Sequence, residues 1–151
     1  MCYRAIGSKK LVGMMAAITP PDAFVPTCDG EVCFSSRDAE PDRGRAPNDG
    51  FEGLSLSPDE RELYVLLQSP LMQDRKGKAA SRRYTRLLIY DVSKATPPRK
   101  PRAHYVLELP LRPEKPGGAE RESVEANDIV ALGDGRILVI TRESFGFGAK
   151  D

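Results

Sequence analysis

Asn48-Asp49-Gly50-Phe51-Glu52-Gly53-Leu54-Ser55-Leu56-Ser57-Pro58-Asp59-Glu60-Arg61-Glu62-Leu63-Tyr64-Val65-Leu66-Leu67-Gln68-Ser69 is the stretch whose reading decides the fold. Leu54 and Leu56 alternate with Ser55 and Ser57, the period-2 pattern of a strand with one buried face. Leu63–Leu67 is apolar throughout, as expected of a strand covered on both faces. Between the runs, Ser57-Pro58-Asp59-Glu60-Arg61 carries turn chemistry: Pro58 presets φ, and Asp59 can bond its own backbone. The pair predicts a β-hairpin in a stacked sheet. Glu52 does not fit the apolar pattern. A carboxylate there either solvates at a strand end or is held by a cation.

Outward from this hairpin, further strands are expected at Leu11–Thr19, Thr85–Val92 and Ala103–Leu109, with a small hairpin near Glu31–Phe34. Asn127–Leu132 and Arg136–Thr141 form a last hairpin around Gly133-Asp134-Gly135, because Asp-Gly favours the tight turns that join twisted strands. Loops are expected over Asp22–Asn48, Ser69–Tyr84, Ser93–Arg102 and Pro110–Ser123, with a loose tail at Gly146–Gly148. No window holds a sustained helical stripe. The 13 Pro, the 13 Gly, the absence of Trp and the 7% of aromatics agree with a mainly β chain rich in turns.

The order of strands carries more. Four fall in succession from Phe51 to Leu109, and then the pattern restarts. Glu52-Gly53-Leu54-Ser55-Leu56 lies on Asp128-Ile129-Val130-Ala131-Leu132, and Leu63-Tyr64-Val65 on Leu138-Val139-Ile140 after a one-residue shift in the turn. The repeat exceeds the roughly 40–50 residues of common propeller blades, and the basic loop and proline segment account for the excess as insertions. The expectation is all-β, a partial β-propeller with about one complete four-stranded blade and parts of two neighbours. In that frame Glu52 and Asp128 are equivalent, both pointing toward the mouth of a central channel.

Composition sets bounds on function. A net charge of +1 on 151 residues gives no global case for nucleic acid or membrane. Arg75, Lys76, Lys78, Arg82, Arg83 and Arg86 crowd together. They read as a solvated surface loop rather than a nucleic-acid site, since no aromatics interleave them, although they could draw in a polyanion. Met1–Lys10 is mildly basic and precedes an apolar run, Leu11–Ile18. That run is too short to span a bilayer and lacks a clear small-x-small cleavage site, so it reads as an interior strand ending at Pro20-Pro21. Cys28 and Cys33 are either ordinary loop thiols or a small disulfide loop around Asp29-Gly30. Zinc would want two more ligands, and the one His, His104, is far along the chain.

Familiar catalytic sets are absent: no Gly-x-Ser-x-Gly, no Walker loop, no His-Glu-x-x-His, and His104 on an outer strand. What remains is oxygen chemistry. Glu52, Gln68, Asn127 and Asp128 offer oxygens that a divalent metal such as calcium accepts, with Glu125 as a further candidate. Such an ion could neutralise a phosphate and activate water. The plainer reading is that Glu52 and Asp128 cap strand ends and bond backbone N–H groups. Two carboxylates alone make a weak calcium site, so a working one would need residues from outside this chain.

The chain resembles the phytase-like domain family, labelled "esterase-like activity of phytase". The resemblance rests on Asn48–Asp59, Leu63–Ser69, Arg86-Leu87-Leu88-Ile89-Tyr90-Asp91, Asn127–Leu132 with Asp134-Gly135-Arg136, and Pro20–Pro26. It covers residues 11–148, leaving Met1–Lys10 unmatched and 149–151 as a tail. The family's usual Asp-Gly in the first turn is here Asp59-Glu60. The resemblance implies a secreted or extracellular β-propeller hydrolysing phosphate or other small-molecule esters. Its members run to several hundred residues, so this chain is expected to be an internal piece. In that piece Glu52 and Asp128 would be catalytic, and those two with Asn127 and Gln68 would bind metal. A non-catalytic propeller used as a binding platform is the alternative. A further expectation is that the short chain is inactive alone and associates through open strand edges.

Overall fold

The computed structural model describes residues 2–4, 13–34, 41–75, 83–111 and 123–142. Expectations for most of Met1–Lys10, for Lys76–Arg82, for 112–122 and for the Gly146–Gly148 tail lie outside them. The described residues are all-β, with two single turns of 3-10 helix at Asp22–Phe24 and Met72–Asp74.

Strand β1 (Cys2–Arg4) pairs with β2 (Gly13–Ala16), which is the core of the strand expected over Leu11–Thr19. β3 (Thr27–Cys28) and β4 (Glu31–Val32) make the small hairpin, turning through Asp29 and Gly30 at φ 51° and 85°. A Cys28–Cys33 disulfide closes it, with a Cα–Cα separation of 5.8 Å. β5 (Phe51–Leu56), β6 (Glu62–Leu67), β7 (Tyr84–Asp91) and β8 (Ala103–Glu108) form one antiparallel sheet in sequence order. β9 (Glu125–Gly133) and β10 (Arg136–Arg142) form the final hairpin. Its Asp134-Gly135 turn has both residues at positive φ, 53° and 71°, the type I′ geometry that matches strand twist.

The β5–β6 turn shows how local chemistry sets the hairpin. Glu60 N–H donates to the Ser57 carbonyl at 2.9 Å, and the Ser57 hydroxyl donates to Asp59 Oδ1 at 2.6 Å. Arg61 N–H also reaches Asp59 Oδ1, at 3.2 Å. The Ser57 hydroxyl is the main reason the Asp59 carboxyl lies below its usual range. Glu60 occupies left-handed φ, 59°. That is the conformation a glycine adopts without strain, so the Asp59-Glu60 departure from Asp-Gly has a steric cost.

The four-stranded sheet is covered on both faces. One face carries Leu66, Leu87 and Ile89, and β9–β10 packs on it through Ile129, Ile137 and Val139. The other face carries Leu67, Leu88 and Tyr90, covered by Phe24 and Leu71 with Ile18 beside them. Phe24 stacks on Phe51 with ring centroids 5.6 Å apart. Buried Thr85 donates its hydroxyl to the Leu67 carbonyl at 2.6 Å, tying β7 to the end of β6.

The structure corrects the register of the internal repeat. In β5 the pairs Phe51↔Leu67 and Gly53↔Leu66 leave Glu52 as the extra residue of a β-bulge. In β9 the pairs Ala126↔Thr141 and Asp128↔Ile140 leave Asn127 as the extra residue. Glu52 therefore corresponds to Asn127, not Asp128. The side chains agree. Leu54, Leu56, Leu63 and Val65 share the β5–β6 face turned toward the N-terminal segment. Ile129, Ala131, Ile137 and Val139 share the β9–β10 face turned toward the preceding sheet. The expected superposition is off by one residue, and because strand side chains alternate, that slip exchanges every inward residue for an outward one.

Candidate functional site

The polar cluster lies where β5, β6 and β9 come together. Gln68 N–H donates to the Gly50 carbonyl at 2.9 Å, and Ala126 N–H donates to the Gln68 carbonyl at 2.9 Å. Main chain thus locks Gln68 between the start of β5 and the start of β9, leaving it 2% exposed. Its side-chain Nε2 donates to Glu125 Oε2 at 3.3 Å, and Arg142 Nε approaches the same oxygen at 3.4 Å. That donor must be the amide NH2, since the amide oxygen would face a carboxylate. Gln68 Oε1 is consequently turned away. Gln68 Oε1 and Asn127 Oδ1 are both buried with no hydrogen-bond partner among the described residues. Buried orphan acceptors are uncommon and costly, by about 1–3 kcal/mol each, so they point to a donor, water or cation that belongs with them.

The expected ligands separate into two kinds. Gln68 and Asn127 are the buried neutral oxygens. Glu52 and Asp128 are exposed. Asp128 stands inside β9 rather than at its end, and its Oδ1 accepts the N–H of the next residue, Ile129, at 2.8 Å. Glu52 sits on its bulge, a feature that re-aims a side chain. Among the described residues, no three of His, Cys, Asp and Glu gather where a metal could be held. The Glu125 carboxylate is met by both Gln68 and Arg142 at the same oxygen, Oε2. Glu125 was legible as a candidate oxygen. Arg142 and the inward turn of the Gln68 amide were not, because both depend on two separate sheets meeting.

The basic cluster looks different once folded. Arg75 is paired with Asp49, Arg83 with Glu108, and Arg86 with Asp74 through Nε at 2.9 Å and Nη2 at 2.6 Å. These guanidinium groups tie β7 and the loop around Met72–Asp74 to neighbouring carboxylates, while Lys76, Lys78 and Arg82 lie outside the described residues. His104 leans on Phe24 with centroids 5.6 Å apart. Burial against that ring, with Arg86 adding to it, lowers its pKa. It stands on edge strand β8, away from Gln68 and Asn127.

Family comparison matches residues 13–150 to "Phytase-like: Esterase-like activity of phytase". This chain belongs to the phytase-like family. An "Uncharacterized secreted protein" of Arthroderma benhamiae is 37% identical over 146 residues, covering 87% of this chain and 28% of that protein. The phytase-like chain therefore spans under a third of the relative's length. No solved structure matches it.

Proposed function

We propose that this chain is part of a secreted phytase-like domain that hydrolyses phosphate or other small-molecule esters, and that its stacked sheets belong to a β-propeller. The family match along nearly the whole chain carries this reading. Secretion is supported by the secreted relative and by the Cys28–Cys33 disulfide, a bond that persists in oxidising compartments. Among the described residues, Glu52, Gln68, Asn127 and Asp128 do not by themselves complete a divalent-metal site. What the chain supplies is the buried oxygen pair of Gln68 and Asn127, beside a bulge at the start of each first strand. These oxygens are buried from solvent, and an ordered internal water is the donor that suits them there. Two carboxylates accompany them: Glu125, in contact with Gln68, and Glu52, exposed on the equivalent bulge.

The second reading, a binding platform without catalysis, is favoured by one observation. Among the described residues no acidic cluster assembles, and Asp128 is occupied by its own strand. Hydrolysis of p-nitrophenyl phosphate and p-nitrophenyl acetate separates the two. It is measured for this chain and for the longer secreted relative, with calcium or with EDTA. Esterase or phosphatase activity in the relative that is lost in the variants corresponding to Glu52→Gln or Asn127→Leu, with the fold retained, supports the hydrolase. Turnover of neither substrate in any form supports the platform.

A further inference from the structure

The buried amide oxygens of Gln68 and Asn127 come from different sheets, and main chain fixes where they meet. Gln68 follows β6, and its carbonyl takes the N–H of Ala126. Asn127 is the next residue of β9, carried by the bulge. The Gln68 Nε2 is engaged with Glu125 Oε2, so the amide cannot turn round without setting its own oxygen against a carboxylate. Gln68 Oε1 is thereby held as an acceptor, as is Asn127 Oδ1, both closed to bulk solvent.

The chemistry of the pair selects what belongs with it. Two acceptors cannot satisfy one another, and whatever joins them must donate twice. A water molecule does so with its two O–H groups, and internal waters typically make about three hydrogen bonds to otherwise unsatisfied polar groups. A divalent cation fits less well. The two amide oxygens bring no charge, and the adjoining Glu125 oxygen is met by both Gln68 and Arg142.

We propose that one resident internal water donates to both Gln68 Oε1 and Asn127 Oδ1 and ties the β5–β8 sheet to the β9–β10 hairpin. Its place rests on the buried oxygen pair described above, not on whether the domain hydrolyses esters. It adds a polar joint to a contact that is apolar where Ile129 seats over Gly53. The joint takes one residue from each hairpin. By strand pairing, Arg142 stands in β10 where Gln68 stands after β6, and Glu52 stands where Asn127 stands. Neither hairpin alone carries the two amides, so the site is completed only when the sheets meet.

A high-resolution crystal structure of the intact chain tests this, together with water oxygen-17 magnetic relaxation dispersion, which counts long-lived internal waters in solution. The expected crystal result is a single water peak about 2.8 Å from both oxygens. The expected solution result is an internal-water component that falls by one molecule in Asn127→Leu, a change that keeps the side-chain size and removes the acceptor. Circular dichroism and retention of the Cys28–Cys33 bond check that the variant folds, and if it does not, the wild-type crystal structure decides alone. The absence of a peak within hydrogen-bond reach of both oxygens overturns the proposal. So does an internal-water component that is the same in the folded variant as in the wild type. Anomalous scattering at the peak after a soak in rubidium or terbium salt marks a cation there and overturns it too. None of these readouts involves turnover, so they stand apart from the ester-hydrolysis assay.

Discussion

Substitution of Gly53 by alanine probes the seating of β9–β10 on the central sheet. A Cβ at Gly53 would stand 2.9 Å from Ile129 Cγ2 and 2.9 Å from Leu66 Cβ. Leu66 is fully buried and Ile129 is 2% exposed, so neither can swing away. Overpacking of a tight core costs about 1–3 kcal/mol. Against this, replacing glycine within a strand recovers about 0.5–1 kcal/mol, mostly by restricting the unfolded chain. The net expectation for Gly53→Ala is a loss of about 1–2 kcal/mol, read as a lower urea midpoint at unchanged m-value. Gly53→Val should lose more, since a second branch meets the same atoms. Ile129→Ala removes one of the two colliding side chains and costs about 2–5 kcal/mol by itself. Combined with Gly53→Ala it should cost less than the sum, with a coupling of about 0.5–2 kcal/mol. A neutral or stabilising Gly53→Ala, or strictly additive losses in the double variant, would refute the packing of Ile129 over Gly53.

Further tests follow from single residues. Glu60→Gly relieves the left-handed turn and should raise stability by about 1 kcal/mol by urea unfolding, while a loss would show that the Glu60 side chain contributes more than the strain costs. Thr85→Val keeps the side-chain volume but removes the donor to the Leu67 and Ser69 carbonyls, so it should cost about 1–3 kcal/mol in the same assay. The folded-state pKa of His104 is lowered below its ordinary 6.5, chiefly by burial. The unfolded chain therefore binds that proton first, and stability should fall as pH drops through 6.5, levelling off once the folded imidazole is also protonated. His104→Gln should remove that component from the pH profile. It will be small, because the residue is substantially exposed. Replacing Cys28 and Cys33 by serine opens a very short loop and should cost about 2 kcal/mol on a chain-entropy argument, visible as a lower melting temperature.

Strand identity was legible because the relevant signals are local. Alternation in Leu54–Ser57, the apolar run at Leu63–Leu67, and the Ser57–Asp59 and Asp134-Gly135 turns each act within a few residues. Even the departure at Glu60 pointed to a real strain. Register was not legible, because the bulges at Glu52 and Asn127 each insert one residue that matching apolar letters cannot reveal. The candidate site suffered for the same reason. Glu52 was coupled to Asp128 by position, whereas the bulge couples it to Asn127. Gln68 and Asn127 were legible as oxygen-bearing residues, but the burial of their oxygens arises only when β6 and β9 meet. The arginines were read from their density, and their pairing with Asp49, Asp74 and Glu108 depends on contacts distant in sequence.

The register of the repeat underlies the assignment of equivalent residues in the two hairpins. Nuclear Overhauser contacts of the Gly53 α-protons measure it directly. A strong contact to the γ2 methyl of Ile129, with none to the methyls of Val130, is the predicted result. Contact to Val130 with Ile129 turned to solvent would contradict the account.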